Sequence, residues 1–288
     1  MTIAVTGSSG HLGGLIVDAL RAKAPSSEII AIARSPEKVT DLRVAVRHGD
    51  YDDPPSVAAA LLGVRDLVLV SSNDFGRRAE QHRTVIDAAK AAGVRRIVYT
   101  SLLHADRTPL SLAPEHLETE RALIASGLAF TILRNGWYLE NYAGAVNGAL
   151  ATGTLAGSAG HGRVSAASRA DYAAAVVAVL TGLGHDGQTY ELAGDSSFEL
   201  SDLAAELIRQ TGRKIAYRDL PEPEYAAALV KEGLPEGIAQ AIAHWDIGIA
   251  TGALFDESGQ LGRLIGRRTT TLREFVSATL GEELKETG

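Results

Sequence analysis

A chain of 288 residues with 45% hydrophobic content can bury a large core, as one elaborated domain or one domain with a lobe. Its net charge of −7 and its lack of a basic run disfavour nucleic acid or a membrane surface as partner. The absence of cysteine excludes disulfides, thiolate catalysis and cysteine-based metal or iron–sulfur sites. The start of the chain has no basic region, and its apolar run is too short for a signal peptide. No segment approaches a transmembrane length, so a soluble cytoplasmic protein is expected.

Thr2-Ile3-Ala4-Val5 reads as a strand that runs directly into Thr6-Gly7-Ser8-Ser9-Gly10-His11-Leu12-Gly13-Gly14. An amphipathic helical stretch follows from Leu15. Strand, glycine-rich turn and helix start together make a phosphate cradle. Gly7 permits the tight turn, Gly10 admits a pyrophosphate to the backbone, and Gly13 lets the helix pack close. The helix N-terminus adds free N–H groups and the positive end of a dipole. A lone glycine pattern is weak, but this one has its strand before it and its helix after it, and it predicts a dinucleotide.

Further strands are predicted at 28–33, 44–50, 66–72, 96–101 and 128–133, with helices at 56–62, 77–92 and 114–126. Near-continuous apolar strands between helices predict a parallel sheet covered on both faces. After about residue 135 the pattern changes. Residues 144–163 are rich in Gly, Ala and Ser and read as a loop or short helix facing a cleft. An alanine-rich helix is predicted at 168–181, a strand at 189–193, and short helices at 203–210, 224–231 and 234–244. Thr271-Leu272-Arg273-Glu274 has capping-box spacing and starts a last helix. The expected fold is α/β, a Rossmann-like doubly wound parallel sheet with a smaller C-terminal α/β lobe. Residues 1–135 form the nucleotide-binding core, with segments returning to it near 163–195, and residues 136–288 are mainly the substrate lobe.

An NAD site wants an acid at the end of the second strand for the ribose hydroxyls. This chain has Arg34 there, followed by Ser35 and Pro36. An arginine suits a 2′-phosphate, so NADPH is the expected cofactor. A solvated surface arginine is the plainer alternative, and Glu37 and Asp41 leave some room for NADH. Asp50 is placed to meet the adenine edge, with an ordinary loop aspartate or a cap of the helix beginning at Pro54-Pro55 as the plainer alternative.

Ligands of a doubly wound sheet meet the carboxyl ends of its strands. Those ends read Ser71-Ser72-Asn73-Asp74-Phe75-Gly76, Thr100-Ser101-Leu102-Leu103-His104 and Arg134-Asn135-Gly136-Trp137-Tyr138. They are polar at the base and aromatic at the rim, which suits a flat apolar acceptor. No tyrosine in the chain is followed by lysine four positions later. The acid pair of ordinary alcohol–ketone chemistry is therefore missing. Quinone reduction does not need it, because solvent can protonate the electron-rich product.

At these residues the chain resembles the NmrA-like, atypical short-chain dehydrogenases. Within them it is similar to the NADPH-dependent quinone oxidoreductases of bacterial type two, and also to triphenylmethane-dye reductases and NAD(P)H azoreductase-like proteins. The likeness runs over essentially the whole chain. Its carrying segments are Tyr99 to Asp106, Leu133 to Tyr138, Ser168 to Tyr172 and Tyr190 to Asp195. It implies cofactor contacts at Gly7, Ser8, Ser9, Gly10, His11 and Leu12, and Arg34 on the 2′-phosphate. It further implies contacts from the Asp74-Phe75-Gly76 loop, from Tyr138 and Asn141, and from Arg169. It hands over no catalytic acid.

Tyr138 and His104 are the candidates for a group beside the reacting atoms. A rim aromatic and a backbone-bonded loop histidine are the plainer readings of the two. Trp137 is expected to be packed rather than substrate-facing, and Arg169 has a surface ion pair as its alternative. His82, His116 and His161 lack ligand spacing, and no metal is expected. Hydride transfer from NADPH to a quinone or dye is the leading function. An NADP(H)-binding redox sensor without turnover is the second, and an isomerase or epimerase is disfavoured by the missing acid pair. The sequence leaves the oligomeric state open.

Overall fold

In the computed structural model, which describes residues 2–286, the chain builds a seven-stranded parallel sheet between two helical layers. The elements begin with β1 (Ile3–Val5), α1 (His11–Arg21), β2 (Ile29–Ala33), β3 (Ala45–His48), α2 (Pro54–Ala60), β4 (Asp66–Leu69) and α3 (Arg78–Ala91). They continue with β5 (Arg96–Leu102), α4 (Ala113–Ala125), β6 (Ala129–Asn135), α5 (Ala143–Thr152), β7 (Thr154–Gly157), α6 (Arg169–Thr181) and β8 (Gln188–Leu192). The last are α7 (Leu200–Thr211), β9 (Ala216–Asp219), α8 (Glu222–Lys231), α9 (Glu236–Ala250), α10 (Gln260–Ile265) and α11 (Leu272–Glu286).

The strand order is β3-β2-β1-β4-β5-β6-β8, all parallel. β1, β2, β4 and β5 are buried along their whole length, as apolar strands covered on both faces must be. β3 departs from the expected pattern: it is the sheet edge and leaves Ala45 and His48 exposed. One layer packs α1 and α6 on the sheet through Ile16, Val17, Leu20, Val176 and Val179. The opposite layer packs α2, α3 and α4 through Val57, Val85, Ile86 and Leu123. β8 is the strand expected near 189–193, and it returns to the sheet beside β6.

The lobe differs more from expectation. Residues 144–163, read as loop or short helix, hold α5 and then β7. β7 pairs in parallel with β9 in a second, two-stranded sheet. β9 and α10 were not predicted at all. α5, α7 and α11 close over this sheet around Val146, Leu155, Leu203, Leu207 and Val276, a core separate from the two beneath the main sheet. The capping box of α11 forms as expected: Thr271 Oγ1 accepts from Glu274 N at 3.2 Å, and Glu274 Oε2 accepts from Thr271 N at 2.8 Å. Among the described residues no helix is long and apolar enough to cross a membrane.

Candidate functional site: a dinucleotide cleft at the sheet's switch point

The chain leaves β1 toward β2 and β3, then crosses back to β4 on the other side. Loops diverge at that reversal, and a crevice opens at the carboxyl ends of β1 and β4. The cleft there has a volume of about 540 Å³, within the usual range for small-molecule and cofactor sites. A groove of about 530 Å³ between α8 and α9 is comparable in size but apolar, and none of the expected site residues lines it.

Thr6 stitches the floor. Its N–H and hydroxyl donate to Val68 O at 3.0 and 3.2 Å, and its oxygen accepts from Val70 N–H at 3.1 Å and the Tyr51 hydroxyl at 2.6 Å. Gly7 then turns at φ +60°, a conformation that disfavours any side chain. A Cβ on Gly13 would lie 2.2 Å from Gly7 O, so the first turn of α1 can sit on the loop only with glycine there. Gly10 is the N-cap of α1 and no side chain caps it, nor is there an acid in the first turn. The N–H groups of that turn stay available to an anion.

Gly7, Ser9, Gly10, His11 and Leu12 line the cleft, as expected. Ser8 does not: it is buried and its hydroxyl donates to Val5 O at 2.7 Å. Arg34 is exposed at the end of β2 and lines the cleft, and no acid pairs with it among the described residues. Asp50 is in the lining, whereas Glu37 and Asp41 are not. Asp50 does not cap α2; Asp53 stands at that N-cap.

The opposite wall is the segment after β4. Ser71 N–H donates to Thr100 Oγ1 at 2.9 Å and Ser72 N–H to His82 Nε2 at 2.9 Å. Nε2 must therefore be the unprotonated nitrogen, so Nδ1–H donates to Thr119 Oγ1 at 3.0 Å. Burial, helped by the Arg78 charge, holds His82 neutral with its pKa down to about 3. Gln81 ties Asp74 and Asp52 together at 3.1 Å each. Asp74 thus lines the cleft, while Phe75 and Gly76 stand outside its lining.

Tyr138 and Arg169 close the far end. The Arg169 guanidinium lies 4.5 Å from the centre of the Tyr138 ring, and Tyr172 meets the ring edge-on at 5.2 Å. Arg169 also donates to Asn141 Oδ1 at 2.9 Å, so Asn141 orients the arginine and does not itself line the cleft. Burial raises the Tyr138 hydroxyl pKa, offset in part by the Asn135 amide and the Arg169 charge. The Asn135 amide is buried next to it, with neither polar atom in a hydrogen bond of good geometry. A glycine cradle that only hydrogens fit and an arginine with no acid partner among the described residues together fit a dinucleotide phosphate.

His104 lies apart from the cleft. Its backbone takes a left-handed φ of +54°, its N–H donates to Glu191 Oε2 at 2.8 Å, and its ring bonds Asp256 at 3.2 Å. Through Asp256 it joins the loop after β5 to the lobe. Trp137 meets Trp245 edge-on and is partly buried against the lobe core. His161 is exposed and bonded to Glu199, and no metal-holding cluster occurs among the described residues.

Sequence reasoning missed a charge network below the strand ends. Arg134 gives Nε and Nη2 to the two oxygens of Glu120 at 2.9 and 2.8 Å, and Nη1 to Glu191 at 2.8 Å. Ser101 donates to the same Glu120 at 2.6 Å. Burial would lower the Arg134 pKa, but these carboxylates and Asp106 more than reverse it, so the guanidinium stays charged. The only sequence signal was an arginine within an apolar strand.

Sheet order, glycine turn and cleft define a dinucleotide-binding α/β protein. Residues 7–182 match the NAD(P)H-binding family, and the chain belongs to it. The chain is 51% identical over 278 residues to quinone oxidoreductase 2 of Escherichia coli K12, covering 96% of this chain and 97% of that protein. The crystal structure of an E. coli NADPH-dependent quinone oxidoreductase in complex with NADPH superposes with a TM-score of 0.94 at 50% identity, covering 97% of this chain and all of that one. The triphenylmethane reductase of a Citrobacter species, complexed with NADP(H), gives a TM-score of 0.93 at 35% identity, over 96% of this chain and all of that one. The resemblance expected from the sequence holds over the whole length.

Proposed function

We propose that this protein is an NADPH-dependent quinone oxidoreductase, moving a hydride from the nicotinamide to a quinone or similar flat aromatic acceptor. When bound, NADPH supplies two electrons and one proton as hydride. A second proton comes from solvent, giving NADP⁺ and a hydroquinone. The observation that carries the reading is Arg34, on the cleft where an NAD site would hold an acid and with no acid partner among the described residues. The E. coli relative, half identical over nearly its full length, supports the same chemistry.

In this reading Gly7, Ser9, Gly10, His11 and Leu12 hold the pyrophosphate, with Ser8 contributing backbone only. Arg34 takes the 2′-phosphate, and Asp74, Tyr138 and Arg169 border the nicotinamide half. Phe75, Gly76 and Asn141 act at one remove by shaping those positions. Residues 1–135 with returning segments near 163–195 serve the cofactor, and the rest forms the acceptor lobe. Neither Tyr138 nor His104 is needed as an acid. The chain works in the cytoplasm on small molecules. Steady-state loss of NADPH absorbance with 1,4-benzoquinone tests the reading: saturable turnover that prefers NADPH to NADH is expected, and tight NADPH binding without turnover on any quinone or dye would overturn it.

A further inference from the structure

The chain has two tryptophans, and both sit in one cluster. Trp245 of α9 meets Trp137 edge-on at 5.7 Å and Phe75 at 6.0 Å. Its indole N–H donates to Ser111 Oγ at 3.2 Å. One lobe side chain thus touches the segments that follow β4, β5 and β6. Those are the strand ends where a doubly wound sheet meets its ligands. Phe75 directly follows Asp74, and Trp137 directly precedes Tyr138; both Asp74 and Tyr138 line the cleft.

A purely structural aromatic cluster would be sunk in a core. Here Trp137 and Trp245 are half-buried and Phe75 is 48% exposed. The inner side of Phe75 is fixed instead. The Arg78 guanidinium lies 5.2 Å from its ring centre, and is itself buried and bonded to Glu115 at 3.2 Å and Ser72 O at 2.7 Å. Phe75 is therefore held by Arg78 while about half of it stays uncovered, next in the chain to Asp74 of the cleft lining. A rigid aromatic surface of that kind selects flat ring systems by stacking and edge contact.

We propose that Phe75, Trp137 and Trp245 form the acceptor-binding wall, so that the lobe selects planar quinones through Trp245. This rests on the acceptor chemistry proposed above. The wall determines specificity and touches the acceptor's ring, while the cofactor is held elsewhere.

The test titrates 1,4-naphthoquinone into the full-length protein saturated with NADP⁺, following tryptophan fluorescence with free N-acetyltryptophanamide as control. Wild type, Phe75→Ala, Trp245→Phe and Trp245→Leu are compared, and NADPH affinity and acceptor KM are measured alongside. Saturable quenching is expected in wild type, with midpoint and KM raised about tenfold in Phe75→Ala and Trp245→Leu. Trp245→Phe should restore both, and NADPH affinity should not move in either Trp245 variant. If Trp245→Leu loses NADPH binding through misfolding, Phe75→Ala decides, since that side chain is exposed. A midpoint and KM within twofold of wild type in Phe75→Ala and in every variant that folds would overturn the wall and leave the reductase intact. Saturable, ring-dependent quenching without turnover would support the wall and overturn the reductase. Absence of saturable quenching in wild type would overturn the wall whatever the turnover.

Discussion

The nucleotide-binding core and the lobe keep ionisable groups inside in opposite ways. The core buries histidine: His82 is fully enclosed and neutral, and burial, with the Arg78 charge adding to it, pushes His116 well below its usual range. The lobe buries a carboxyl. Burial pushes Asp246 up to about 6, with Asp219 adding to the shift and the hydrogen bond from Ser158 N–H at 2.8 Å opposing it. A buried base whose pKa is lowered and a buried acid whose pKa is raised respond to pH in opposite directions. The core should therefore weaken on acidification and the lobe on alkalinisation, although one chain carries both.

The largest effect expected sharpens the core side. Glu120→Ala leaves the charged Arg134 with Glu191 and Asp106 on Nη1 and nothing on the Nε and Nη2 that Glu120 held, and loss of one partner of a buried pair costs about 3–5 kcal/mol. Urea unfolding should show that drop, while Glu118→Ala, whose ion pair with Arg83 is exposed, should fall by less than about 1 kcal/mol. Equal losses would show that the network adds nothing beyond a surface pair.

Next come the two pH responses. His82 has a folded pKa of about 3 against a usual 6.5, so the unfolded chain takes up its proton first. Its stabilisation is present above 6.5 and is lost as pH falls, at roughly 1.4 kcal/mol per unit down to the folded value. A His82→Gln variant should lose that part of the acid sensitivity in denaturant midpoints taken between pH 4.5 and 7. For Asp246 the folded value of about 6 lies above the usual 3.8. The folded protein holds the proton longer, so stability falls as pH rises between those values, by about 3 kcal/mol in all. Asp246→Asn keeps an acceptor for Ser158 N–H and should gain on wild type across that window. A constant difference between the two proteins would contradict the assignment.

A smaller effect is expected at the cradle. The Cβ of Gly13→Ala would strike the Gly7 carbonyl, and overpacking of this kind costs about 1–3 kcal/mol. Thermal unfolding should fall modestly and NADPH affinity with it. Gly14→Ala, whose Cβ would find ordinary contact at 3.6 Å, should leave both near wild type.

The same two regions differ in how well the sequence announces them. In the core, the glycine run, Arg34 and the apolar strands each act through local rules, so cleft and sheet were legible. β7 and β9 are four residues each, with mixed burial, and form only because they find one another across 58 residues of chain. α5 contains Gly144 and Gly148, which left it open between loop and short helix, and α10 is six residues between glycines in the left-handed conformation. The Arg134–Glu120–Glu191 network and the Trp245 contacts are likewise long-range, and no local pattern marks them. Ser8, Phe75, Gly76 and Asn141 were placed on the cleft by resemblance, and none of them is among the residues that line it.

The central claim is that Arg34 reads a 2′-phosphate. Fluorescence titration of wild type and Arg34→Glu with NADPH and with NADH tests it most directly. The account predicts that the variant loses about 10- to 100-fold in NADPH affinity, the value of a charge-assisted bond of about 1.5–3 kcal/mol, while NADH binding holds or improves. Equal loss toward both cofactors, or none toward NADPH, would contradict it.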